Sequence, residues 1–291
     1  MNDFSPSEAA LEGFRLTRER PGTVLTWCGV YFTGMLVIAI LMMVSLGPDF
    51  IALAKKGQFS SEDIDAVGSM LARSGPAFLL VLVLAVALMS VLTSGIYRLV
   101  LRPQEPGFAH LRLGPDELRL TAVNLLLFAV GMAFLFLGFV AAAAGEQVSP
   151  ALGFVLAAAV AAITVWVGVR LSLATPMTFA THRFSIREAW RLTAGRHFWP
   201  LLGMIVLAVI FYVMVWLLIS IIGLAVVGLA GGDQGGGFSP LAVVAAVATL
   251  FMQLILSVLQ LVMIYSPFAV AYQELHGDAP ARPLRTSDAR G

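Results

Sequence analysis

The chain is poor in the groups that do chemistry in water. Of its 291 residues only 12% are charged, four are histidine and one is cysteine. A soluble domain carries about 25% charged and roughly 45–50% apolar residues. Here the apolar share is 59%. The single cysteine, Cys28, excludes an internal disulfide and any cysteine-rich metal centre. It lies in an apolar segment and reads as a packed thiol. His110, His182, His197 and His276 form neither H-E-x-x-H nor a ligand pair one helical turn apart, so no metal site is expected. They read as solvated or headgroup-facing. There is no G-x-S-x-G, no Walker A loop and no dinucleotide fingerprint. The glycines of 231–237 fall between two apolar runs and read as a turn rather than a phosphate cradle. A net charge of +1 is no footprint for nucleic acid. These absences exclude a soluble enzyme, a nucleic-acid binder and a disordered chain. They call for no cofactor.

What the chain has is long hydrophobic runs. Pro21–Pro48, Ser74–Tyr97, Leu120–Gly145, Gln147–Val169, His197–Gly232 and Gln234–Gln273 contain no Asp, Glu, Lys or Arg. A bilayer core of about 30 Å is crossed by about 20 helical residues. Runs such as LLVLVLAVAL do not alternate as barrel strands do. The fold class is therefore all-α: a polytopic membrane protein with six transmembrane helices near 24–46, 77–97, 122–144, 151–169, 201–230 and 241–266. Residues 1–22 are expected to form a cytoplasmic amphipathic N-terminal helix and 271–291 a cytoplasmic flexible tail. About 22 mixed-charge residues precede the first run, unlike a signal peptide, so that run is expected to remain in the mature protein. Pro76, Pro150, Pro200 and Pro240 mark helix starts, with Ser149 and Ser239 as N-caps. Residues 47–76 read as a real loop with a short helix capped at Ser60 or Ser61.

The basic residues orient the bundle. The N-terminal segment, the second and fourth loops and the C-terminal segment carry 15 of the 18, and the remaining three, Lys55, Lys56 and Arg73, share one loop. The positive-inside rule puts both termini in the cytoplasm.

A short pattern recurs before the first, third and fifth spans. It reads Glu12-x-x-Arg15-Leu16-Thr17, Asp116-x-x-Arg119-Leu120-Thr121 and Glu188-x-x-Arg191-Leu192-Thr193. An acid and an arginine three apart share a helix face and pair for a few tenths of a kcal/mol. Leu11, Phe14, Leu118, Trp190 and Leu192 would face the headgroup boundary. Each unit then reads as an amphipathic interfacial helix followed by a transmembrane hairpin, a threefold repeat. Pro103, Pro176 and Pro267 would end or bend the even-numbered spans. The pattern is short, and Glu-x-x-Arg also recurs by coincidence on amphipathic helices.

Ionisable groups inside a span mark transport or proton paths, and the six spans contain none. Arg15, Arg119 and Arg191, with Arg98 and Arg170 at span ends, are the candidates for contact with anionic lipid headgroups. Gln253, Ser257 and Gln260 share one face of the last span, and Asn124 lies near the start of the third. These polar side chains either tie helices together or line a polar path.

The stretch Arg170-LSLAT-Pro176, followed by Glu188-AWRLTAGRHFWPLL, resembles the YciC-like bacterial inner-membrane proteins. It also resembles the membrane portion fused to some glycerophosphodiester phosphodiesterases. The likeness covers roughly residues 165–215. It implies a six-span protein of the bacterial inner (plasma) membrane without a settled activity, and it does not import the phosphodiesterase reaction. The expectation is a non-enzymatic protein with a structural or envelope-maintenance role, its partners membrane lipids with anionic headgroups. The alternative is a transporter or lipid-handling protein with a path beside Gln253, Ser257 and Gln260.

Overall fold

The computed structural model describes residues 6–55, 61–105, 108–229 and 240–276. Among the described residues the regular structure is helical, apart from one isolated bridge between Phe108 and Leu111. Helix α1 spans Pro6–Glu19, α2 Pro21–Lys55, α3 Ser61–Leu101, α4 Pro115–Glu146 and α5 Pro150–Leu171. After them come α6 (Ala174–Thr181), α7 (Ile186–Leu192), a 3-10 turn at Gly195–His197, α8 (Phe198–Leu229) and α9 (Pro240–His276). Six stretches are long and apolar enough to cross a membrane: Pro21–Ser45, Arg73–Leu101, Pro115–Glu146, Pro150–Thr181, Phe198–Ala225 and Val247–Leu275. The chain is a multi-pass membrane protein.

Sequential spans pair as hairpins, α2 with α3, α4 with α5 and α8 with α9. The α4–α5 hairpin is closed by its glycines. Ser149 caps α5 by accepting a hydrogen bond from the Leu152 N–H at 3.2 Å, with Pro150 in the first turn. That signal was legible in the sequence. A Cβ on Gly145 would lie 2.5 Å from the Gly153 Cα, so the two backbones touch.

The buried core sits at one end of the bundle. It draws on Ala9 of α1, Val123 of α4, Val169 of α5, Met177 of α6, Ala189 of α7, Met204 of α8 and Tyr272 of α9. A second cluster joins Trp27, Leu92, Ile96 and Val262. Between Val123 and Gly145, no residue of α4 is buried. Its outward Phe136 and Phe139 are exposed. Apolar side chains facing outward are what a hydrocarbon environment allows. The buried end is also the end that carries Arg15, Arg98, Arg119, Arg170 and Arg191.

Several boundaries differ from the sequence reading. Residues 47–76 are not a loop throughout. Helix α2 continues past a kink at Gly47 (φ 66°) to Lys55, and α3 begins at Ser61 and runs through Pro76 without ending. A proline within a helix gives up one main-chain bond and need not stop it, and the apolar run beyond it continues. Pro267 likewise lies inside α9. The helix survives because Ala269, Val270, Ala271 and Tyr272 beyond the proline are buried in the bundle, and the Gln273 amide donates to the Val100 carbonyl at 3.2 Å. Residues 271–276 therefore belong to the helix, not to a tail. Pro176 does not terminate a span either; it sits in the first turn of α6. The turn at 231–237, the caps at Ser60 and Ser239 and the tail from 277 lie outside the described residues.

The interfacial helices are corrected in part. Only the first and third copies of the pattern precede a separate span, as α1 and the short α7; the second is the opening of α4 itself. All three nevertheless turn the same face inward. Gly13, Glu117 and Ala189, at the second position of each copy, are all buried. Thr17, Thr121 and Thr193 each donate to the carbonyl four residues back, at 2.9, 2.7 and 2.9 Å. Each copy packs on the end of a span: α1 on α9, the start of α4 on α3, and α7 on α5. The α1–α9 contact depends on Gly13, where a Cβ would lie 2.7 Å from the Met263 Cα.

Candidate functional site at the arginine-rich end

Polar side chains converge where α3, α4 and α6 meet. Arg98, in the last turn of α3, points inward. Its Nη2 donates to Glu117 Oε1 at 2.6 Å, and the two side chains are 4% and 5% exposed. Ser94 donates to the same carboxylate oxygen at 3.0 Å. Arg98 Nε lies 3.5 Å from Glu105 Oε2, and its Nη1 donates to the His110 carbonyl. The guanidinium also stands 5.5 Å from the centre of the Phe179 ring of α6. Burial of two charges is costly, and pairing with further hydrogen bonds offsets that cost. The sequence reading placed Arg98 at the headgroups; the structure withdraws it into the bundle.

A second strand of the network lies further out. Arg102 reaches Glu105 at 3.3 Å, the Ala180 carbonyl at 3.0 Å and His182 Nε2 at 2.9 Å. His182 Nδ1 lies 2.7 Å from Asp116 Oδ1, which also receives Arg119 Nη1 at 2.7 Å. Arg102 can only donate, so Nε2 must accept, and the proton of a neutral His182 sits on Nδ1 facing Asp116. Both ring nitrogens are then engaged. Among the described residues no group of His, Cys, Asp and Glu could hold a metal ion.

Below this network Tyr97 and Thr175 share a buried hydrogen bond of 2.7 Å between α3 and α6. The loop from α3 to α4 is held from two sides. Trp27 of α2 donates its indole N–H to the Ala109 carbonyl at 2.9 Å, and Arg98 holds the next carbonyl. Ala109 and His110 both have positive φ, 49° and 60°. Leu111 N–H donates to the Phe108 carbonyl at 2.9 Å, the two-residue turn otherwise favoured by Asn-Gly.

The candidate lipid contacts divide. Arg15 is 58% exposed but leans on Glu12 at 2.7 Å and Glu19 at 3.8 Å. Arg119 is 34% exposed and tied to Asp116. Arg170 donates to the Trp190 carbonyl at 3.1 Å and lies 5.5 and 5.0 Å from the ring centres of Trp166 and Trp190. Arg191 is exposed, and no acidic partner reaches it among the described residues. Arg18, Arg20, Arg183 and Arg187 are exposed in the same way. Sequence reasoning had not singled these four out as lipid contacts.

The candidate polar path does not assemble. Asn124 donates to Ser90 at 2.8 Å, tying α4 to α3. Gln253 is exposed, Ser257 bonds the Gln253 carbonyl of its own helix at 2.8 Å, and Gln260 keeps a buried amide nitrogen without a partner. Comparison with known proteins finds no matching family model, no matching characterised protein and no matching solved structure.

Proposed function

We propose that this protein is a non-catalytic, multi-pass component of a bacterial inner membrane. In this reading its arginine-rich end faces the cytoplasm and holds anionic lipid headgroups. The observation that carries it is the division of labour among the arginines. Arg98 and Arg119 are committed to carboxylates inside the network. Arg18, Arg20, Arg183, Arg187 and Arg191 are exposed, on α1, on α7 and in the turns beside them. Each juxtamembrane arginine beside an anionic surface is worth about 1 kcal/mol. The capped His182 supports reading the polar cluster as a clamp between helices, since a general base needs a nitrogen free to take a proton.

Native mass spectrometry of the detergent-solubilised protein tests it. Replacing the five exposed arginines with glutamine should strip most of the retained phosphatidylglycerol. Glutamine at Arg98 should leave retention intact in whatever fraction folds. Unchanged retention in the fivefold variant would overturn the proposal.

A further inference from the structure

A cleft of about 590 Å³ lies between α3, α4, α5 and α9, on the side of the bundle away from α1. Its volume falls in the range that holds a single small ligand. Two glycines keep it open. Gly131 of α4 and Gly168 of α5 both line it, and a Cβ built on either would meet nothing within 4 Å. The walls are otherwise mostly apolar, and no charged side chain lines them.

Thr164 lines the apolar end and is spent on the Val160 carbonyl at 2.8 Å; the other polar side chains gather at the opposite end. Asn124, Ser172, Thr175 and Tyr265 come from α4, the α5–α6 turn, α6 and α9. Ser172 and Thr175 are already bonded, to the Val169 carbonyl and to Tyr97. Tyr265 has no hydrogen-bond partner among the described residues, and Asn124 uses only its amide nitrogen, toward Ser90. A donor and an acceptor in hydrocarbon surroundings are costly to leave unpaired. Asn124 lies seven residues beyond Glu117, about 10 Å along α4 from the ion pair. From Asn124 to Phe134, at the apolar end, the cleft extends about 15 Å.

We infer that this cleft binds one chain of an uncharged amphiphile whose polar end carries a free hydroxyl, with monoacylglycerol as the simplest member. The hydroxyl meets Tyr265 and the Asn124 carbonyl, and the hydrocarbon chain lies past Gly131 and Gly168. A phosphate is excluded because the lining offers no cation to balance it. This site is separate from the exposed arginines and stands without the function proposed above.

The full chain in lipid nanodiscs can be irradiated with a diazirine-tailed monoacylglycerol, or with the lysophosphatidate of identical tail. Labelled peptides are then mapped by mass spectrometry. The monoacylglycerol should label the segments around Gly131 and Gly168. The lysophosphatidate should label them at least about fivefold less. Gly131→Leu, which enters space already empty, should abolish the labelling. Tyr265→Phe should lower it about fivefold, the worth of one hydrogen bond, with an unchanged melting temperature. Should Gly131→Leu fail to fold, Gly168→Leu makes the same test on the facing helix. Equal labelling by the two probes would mean that bulk acyl chains fill the cleft, and the inference would fall. It would fall equally if label persisted in a folded leucine variant, or if Tyr265→Phe labelled like the parent.

Discussion

Arg98 of α3 and Glu117 of α4 meet at 2.6 Å inside a membrane protein, both side chains almost wholly withdrawn from the surroundings. Removing one partner of a buried ion pair strands the other charge and costs about 3–5 kcal/mol. Glu117→Ala and Arg98→Ala should therefore each lower the melting temperature of the detergent-solubilised protein sharply. Arg98→Met combined with Glu117→Leu should recover much of the loss, because it strands no charge. Two single variants that melt like the parent would show that the pair does not hold α3 to α4.

The glycines of the membrane helices separate into two kinds, and alanine substitution should tell them apart. At Gly153 a Cβ would lie 2.7 Å from the Glu146 Cγ and 2.9 Å from the Ala142 carbonyl oxygen. Gly153→Ala should force the α4–α5 hairpin open and destabilise by about 1–3 kcal/mol, as overpacking does. At Gly168 the Cβ meets nothing. There Gly168→Ala should be neutral or stabilise by up to about 1 kcal/mol through helix propensity alone. Thermal unfolding of the two variants in one detergent checks both, and equal shifts would contradict the close hairpin contact.

The helical, six-span fold was legible because charge-free runs of this length have few other solutions. Ser149-Pro150 announced a helix start, and the structure places one there. Pro76 and Pro267 misled because a proline weighs as a breaker in sequence, whereas the helix continues through an apolar run after Pro76 and through residues buried in the bundle after Pro267. The site was less legible. Arg98 at the end of an apolar run has the sequence signature of an interface anchor. Its partner is 19 residues away, across a loop whose path sequence does not fix. One signal was present. Glu117, Leu120, Thr121 and Asn124 stand at i, i+3, i+4 and i+7, so the glutamate shares a face with apolar and amide residues. An acid on that face asks for a buried cation. Gln253, Ser257 and Gln260 share one face of α9 by spacing, but a stripe on one helix does not show which neighbour it meets.

The turn at Ala109–His110 makes stability depend on acid in a definite direction. His110 lies outside the membrane-crossing stretches, and its imidazole is held below the ordinary histidine range. Burial contributes most, the Arg20 charge adds to it, and Arg98 adds less; a hydrogen bond to the Pro103 backbone pulls the other way. A folded-state value below the unfolded one means that the unfolded chain takes up the proton first. Stability then rises with pH where the unfolded chain binds more protons, and is lost as pH falls through about 6.5. The loss levels off once the folded form also protonates. His110→Asn removes the titrating group and keeps a residue that tolerates positive φ. Its carbonyl still meets Arg98. The difference in melting temperature between pH 7.5 and 5.5 should be smaller in this variant than in the parent. Contributions common to both proteins cancel in the comparison. Parallel pH curves would show that His110 is not strained toward its neutral form, and the two positive charges beside it would need another account.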